Sequence, residues 1–224
     1  MPISPPRSRD WGRCRWPPQS ETTYDVLQAH SKAARTRVDF DHRCKVLRAR
    51  LCEQDFLENK GLGNEIGFFT FCYDASLELE MRAFVADLQA DAAKGALPCN
   101  LIVKNLYDAF LGILEKKRIL AAVPKQELKH GCDHQLKQLS KIATPEAFAA
   151  ALDYEPHKPG DVLLLTGVGE VYPLLRVHTL LDNMHVGFSD IPVIVAYPGR
   201  FDGRSFNLFN KLGDGNYYRA FDIA

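Results

Sequence analysis

Three clusters hold the side chains from which this chain could build a reactive site. The first is Gly167-Val168-Gly169-Glu170, which follows the apolar run Val162–Leu165 and precedes a helical pattern. Glycines between a strand and a helix aim backbone N–H groups at an anion beyond the strand's end. The dinucleotide fingerprint, however, needs a third glycine where Tyr172 stands, and an acid closing the next strand, whereas Asp190 precedes that strand. A phosphate loop needs Gly-Lys-Ser/Thr. Here Glu170 follows the second glycine, and a carboxylate repels phosphate. Gly167 and Gly169 are therefore weak cofactor-binding candidates. A tight turn with close helix packing is the preferred reading, and no cofactor is expected.

The second cluster is His130, Cys132 and His134, three soft ligands within five residues. No paired second half accompanies them. On a helix the two histidines share a face and Cys132 points away, so a solvated helix end is preferred to a metal site. The third cluster is Glu170, Arg176, His178 and His185. Glu170 and His178 could serve as acid and base, but no nucleophile or oxyanion donor stands beside them. Two turns, roughly 10 Å, separate His178 from His185, too far for one shared metal. A catalytic site is not expected, and neither is an enzyme.

The elements that hold these residues alternate. A helix is expected from Asp39, as its N-cap, to Leu57. Ile66–Cys72 reads as an aromatic-rich strand, with Asp74 or Ser76 capping a helix from Leu77 to Lys94, closed by Gly95. Leu101–Val103 is the next strand, followed by a helix from Tyr107 to Leu120. Residues 124–153 are helical with breaks at Pro124 and Pro145. Val162–Leu165 is a strand buried on both faces, and Leu174–Met184 a helix with Pro173 in its first turn. Pro192–Tyr197 is a further strand ended by Pro198-Gly199, Ser205–Leu212 a short helix, and Tyr217–Ile223 a closing strand. Five alternations argue an α/β fold, an open, mostly parallel sheet of about five strands with helices on both faces.

Composition narrows the class. The chain of 224 residues has 46% hydrophobic and 25% charged side chains, as in an ordinary globular protein. No apolar run reaches the ~18–20 residues needed to cross a bilayer, and the first twenty residues lack an apolar signal region. A cytoplasmic protein is expected, with its six cysteines as free thiols. Residues 1–37 hold seven Lys/Arg against three Asp/Glu and five prolines. They read as a basic, flexible extension to an α/β domain over 38–224. The domain is slightly acidic, so direct nucleic-acid binding is expected, if anywhere, through residues 1–37.

Four motifs fall in one order: GLGNEIGFF (61–69) followed by Tyr73-Asp74, LTGVGEVYPLLRVHTLLDNM (165–184), IPVIVAYPGRFDG (191–203) and LFNKLGDGNYYRAF (208–221). Together they resemble the BrxB family, a small component of bacterial BREX (bacteriophage exclusion) defence systems. The resemblance runs from about Phe40 to the C-terminus, and Gly67 stands where the family tends to have proline. It implies a non-catalytic role beside a PglZ-like phosphatase-like protein, a BrxC-like P-loop ATPase and a PglX-like adenine-specific methyltransferase.

The expected function is accordingly an interaction or scaffold subunit. Candidate contact residues are Glu170, Tyr172, Arg176, Tyr197, Arg200, Phe201, Tyr217, Tyr218 and Arg219, because tyrosine and arginine are favoured at interface hot spots. The alternative is a regulatory α/β domain that binds a nucleotide or other small ligand beyond Gly167–Glu170, where the strands end.

Overall fold

In a computed structural model, residues 23–59, 67–185, 187–213 and 220–224 are described, with side chains from residue 32 onward. The chain divides into two units, 1–35 and 36–224. Of the first, the described part is helical backbone from Thr23, the start of α1 (Thr23–Arg50). The helix expected from Asp39 thus begins sixteen residues earlier, and Asp39 lies inside it. Residues 23–37, assigned to the extension, carry helical backbone, while residues 1–22 lie outside the described residues.

The second unit continues through α2 (Gln54–Leu57), β1 (Phe68–Tyr73), α3 (Glu78–Ala93), β2 (Asn100–Asn105) and α4 (Leu106–Lys116). It goes on through α5 (Val123–His130), α6 (Cys132–Ser140), α7 (Pro145–Leu152), β3 (Asp161–Thr166), α8 (Val168–Val171) and α9 (Val177–Met184). Strands β4 (Val193–Phe201), β5 (Phe206–Leu208), β6 (Leu212–Gly213) and β7 (Phe221–Asp222) close it. The strands order β2-β3-β4-β1-β7, all parallel, with β5 added antiparallel to the far end of β4 and β6 antiparallel to β5. An α/β fold with an open, mostly parallel sheet is what the alternation of apolar runs required.

Period-two alternation divides the central strands between two cores. Phe68, Leu163, Leu165, Val193 and Val195 face one side, packing against α4, α7, α8 and α9. Phe69, Phe71, Val162, Leu164 and Ile194 face the other, where Leu47 and Leu51 of α1 and Met81, Val85 and Leu88 of α3 meet them. The faces follow from handedness. The β1–β2 connection crosses two strands in one direction, whereas β2–β3 and β3–β4 step back the other way. Right-handed crossovers that run in opposite directions use opposite faces.

Two local expectations are corrected. The helix expected from Leu174 starts only at Val177, as α9, and a four-residue helix, α8, stands where a turn was expected, with a cis Tyr172–Pro173 bond between the two. A residue before proline is pushed out of the helical region, and Tyr172 is extended at φ −66°, ψ 139°. The expected Ser205–Leu212 helix is instead β5 and a turn. β4 runs on through Pro198-Gly199 and pairs Phe201 with Phe206. Asp202 Oδ1 closes that hairpin by accepting from the backbone N–H groups of Arg204 (2.9 Å) and Ser205 (2.7 Å). Gly199 permits the pairing, since a Cβ there would lie 2.2 Å from the carbonyl oxygen of Asn207.

Leu47 is fully buried and Leu128 is 91% exposed. Urea unfolding is expected to show Leu47→Ala destabilised by about 2–5 kcal/mol and Leu128→Ala within about 0.5 kcal/mol of the parent. Equal losses would contradict the placement of α1 in the second core.

Candidate functional site at the carboxyl edge of the sheet

Ligands of open α/β sheets bind beyond the carboxyl ends of the strands, so the residues that terminate β1, β2 and β3 decide what this edge can do. β1 ends in Tyr73 and Asp74. The Asp74 carboxylate accepts from the Ser76 N–H (3.0 Å) and hydroxyl (2.7 Å), starting the turn into α3. β2 ends in Asn105, whose Oδ1 accepts from the N–H groups of Tyr107 (2.7 Å) and Asp108 (3.2 Å) and so caps α4. β3 ends at Gly167, left-handed at φ 78°, which allows the sharp entry into α8. A Cβ at Gly167 would lie 2.5 Å from Asn105 Oδ1, so this glycine permits the close approach of two strand ends.

One network joins these ends. Asn105 Nδ2 donates to Glu170 Oε2 at 3.0 Å. Arg82 of α3 donates to the other Glu170 oxygen and, through Nε, to Glu78 at 2.9 Å. The Tyr73 hydroxyl donates to the second Glu78 oxygen at 2.5 Å. Hydrogen bonding from Asn105, then the Arg82 contact, lowers the Glu170 carboxyl from its ordinary 4.5 in spite of partial burial. Bonding to Glu78, then to Glu170, raises the Arg82 guanidinium. Burial, reinforced by Glu78, raises the Tyr73 phenol and keeps it protonated. Asn105, Glu170, Arg82, Glu78 and Tyr73 are thereby joined in one run of hydrogen bonds.

Glu170 and His178 are not joined: Glu170 is engaged with Arg82 and Asn105, and His178 is buried on α9. Three thiols are held protonated, because burial pushes Cys44 and Cys72 up to about 12 and Cys99 up to about 11. His130 ends α5, Cys132 opens α6, and the two histidine rings lie 5.0 Å apart. Among the described residues no three His, Cys, Asp or Glu side chains are placed to hold a metal ion.

Beside the network, Tyr172, Arg176, Tyr197, Leu208 and Lys211 line a pocket of about 250 Å³. Three of the sequence-derived contact candidates therefore meet in one place. Tyr197 is 3% exposed and forms the pocket's inner wall, not an outward anchor, whereas Arg176 and Arg200 are exposed. Phe201 stacks on Phe206 with ring centroids 4.7 Å apart. Tyr217, Tyr218 and Arg219 lie outside the described residues, as do Asn64 and Glu65.

A second polar cluster, at the opposite edge of the sheet, had no signature in the sequence. The Asp161 carboxylate, 2% exposed, accepts from Asn100 Nδ2 (2.9 Å), the Tyr154 hydroxyl (3.2 Å) and the Lys158 N–H (3.0 Å). His157 Nδ1 lies 2.7 Å from Asp190 Oδ1. A spacing of 33 residues has no periodic meaning until β3 and β4 are set side by side.

Comparison with known proteins agrees with the motif order. A family model described as BREX protein BrxB matches residues 102–223. A BREX protein BrxB of Bacillus cereus (strain H3081.97) is 35% identical over 177 residues, covering 78% of this chain and 92% of that protein. A BREX protein BrxB of Escherichia coli O9:H4 (strain HS) is 31% identical over 190 residues, covering 82% and 91%. The chain belongs to the BrxB family. No solved structure matches it. The family model's span includes Asn105 and Glu170 of the network, while Tyr73, Glu78 and Arg82 precede it. No helix among the described residues of this BrxB-family chain is long and apolar enough to cross a membrane.

The lowered Glu170 carboxyl has a pH consequence. A depressed folded pKa contributes stability that is complete above 4.5 and lost as pH falls through the folded value. Glu170→Gln is expected to flatten the decline in stability of the parent between about pH 5 and 3. Parallel urea midpoints for parent and variant across that range would remove Glu170 from the account. Asp161→Ala, which leaves three part-buried donors unanswered, is expected to cost about 1–3 kcal/mol by the same measurement.

Proposed function

We infer that the chain is a non-catalytic interaction subunit of a BREX phage-defence system, contacting the PglZ-like protein, the BrxC-like ATPase, or both. Family membership supports the pathway. The single observation that carries the molecular role is the self-satisfied network at the carboxyl edge. Where a related architecture would hold catalytic groups or a cofactor, Glu170, Arg82, Glu78 and Asn105 satisfy one another and brace three strand ends. An edge of this kind is a rigid platform. Its outward contact groups are Tyr172 and Arg176 at the pocket mouth, with Arg200 and Phe201 on the β4–β5 hairpin. An aromatic beside an arginine is the usual composition of an interface anchor. The PglX-like methyltransferase joins the same system without a direct contact in this reading.

The experiment is co-purification of the full chain with the PglZ-like protein and the BrxC-like ATPase of the same system. Tyr172→Ala with Arg176→Ala is expected to weaken the retained complex at least tenfold, matching about 1.4 kcal/mol or more, and to lower phage protection with no change in melting temperature. Retention of both partners at parental levels would exclude this surface. Failure of the parent chain to retain either partner would exclude the scaffold role. The pocket also favours a second reading, a small-ligand regulator. A ligand specific to the native state raises the melting temperature as its concentration grows. A rise with ATP, GTP or NAD that Arg176→Ala removes would select that reading.

A further inference from the structure

Charge in the second unit is segregated in a way that its overall composition hides. Residues 36–224 hold 22 Lys/Arg against 25 Asp/Glu, a net of −3, but residues 116–141 hold seven Lys/Arg against two Asp/Glu, a net of +5. Outside that stretch the unit holds 15 against 23, a net of −8. The basic stretch is the end of α4 followed by α5 and α6. All seven cations are exposed, and none forms an ion pair with a described residue. Lys125 and Lys129 stand one turn apart on α5, and Lys137 and Lys141 one turn apart at the end of α6. α5 buries no residue and α6 buries only Gln135, so both helices lie on the surface with their cations in water.

Like charges one turn apart repel, and the two acids of the stretch, Glu127 and Asp133, leave a net of +5 uncompensated. A polyanion would compensate it, and its binding would release condensed counterions. The composition chooses among polyanions. A single exposed leucine, Leu128, does not make the contiguous apolar patch that marks a protein-docking face. Single-strand surfaces stack bases on aromatic rings, and residues 116–141 contain no Phe, Tyr or Trp. Lysines act as point charges on phosphates and carry no base code. We propose that α5, α6 and the end of α4 form a sequence-independent contact surface for the phosphate backbone of duplex nucleic acid. The acidic remainder of the unit repels the same polyanion, so approach is oriented with this surface foremost. The proposal is independent of the pocket and of the interaction role above.

The test is fluorescence anisotropy of the full chain with a labelled 20-base-pair DNA duplex at 50, 100 and 200 mM KCl. Four to five phosphate contacts give an expected log–log salt slope of about −4, at about 0.9 per phosphate neutralised. A duplex of scrambled sequence is expected to bind equally, and the single strand more weakly. Lys125→Gln with Lys129→Gln is expected to reduce the slope by about 2 and binding at 50 mM at least tenfold. Lys137→Gln with Lys141→Gln is a second pair expected to act in the same way. All four lysines are exposed, so an unchanged melting temperature separates lost binding from lost fold. Absence of binding at 50 mM would overturn the proposal. So would parental binding by both double variants combined with loss on Arg7, Arg9, Arg13 and Arg15→Gln, which would assign binding to the N-terminal arm. Equal affinity and slope for a poly-glutamate peptide of the same charge would also overturn it, in favour of an acidic protein face.

Discussion

The engagement of Glu170 by both Arg82 and Asn105 is the interaction on which the carboxyl edge depends. Its two oxygens are divided between α3 and the end of β2, and it sits on the four-residue helix that follows β3. A parallel sheet covered on both faces can present polar groups only at its strand ends. One carboxylate that answers both Arg82 and Asn105 therefore holds three connections in register. Arg82 is about half exposed and Glu170 a third exposed. The pair thus adds little to global stability in water and acts mainly to orient the edge.

Handedness determines which helices can reach that edge. The long β1–β2 connection brings α3 over the face shared with α1, while α4, α7, α8 and α9 cover the other. Arg82 and Asn105 therefore approach Glu170 on elements that leave the sheet on opposite faces. The same layout gives the β2–β3 connection room for α5 and α6, which contribute almost nothing to the core. One face of the fold is closed by packing, and a long excursion from it is left to charge and solvent.

Burial raises the thiols of Cys44 and Cys72, Asn105 engages the Glu170 carboxylate, and the His185 ring lies against Phe68. Meanwhile the pocket wall formed by Tyr172, Tyr197 and Lys211 and the basic helices α5 and α6 are distinct surfaces on one rigid frame. An overall net charge of zero conceals that division, because positive and negative regions cancel in a sum while remaining apart in space.

Periodicity, glycine positions and caps are local quantities, and they were legible residue by residue. The apolar runs ending at Cys72, Leu165 and Tyr197 foretold strands of the mostly parallel sheet. Asp74, Thr144 and Pro145 marked helix starts that their hydrogen bonds bear out. The errors were local conflicts settled at a distance. Ser205–Leu212 has helical spacing, but the extended β4 offers Phe206 a partner strand. Leu174–Met184 has helical spacing throughout, but Arg176 takes an extended backbone and the helix starts only at Val177. The chain by itself determined the α/β class, the positions of β1 to β4 and the family, because these rest on spacing between near neighbours. Tertiary structure alone decided that Glu170 meets Arg82, 88 residues away, and that His157 meets Asp190. Such pairs depend on strand order and crossover direction, and no spacing along the chain encodes either.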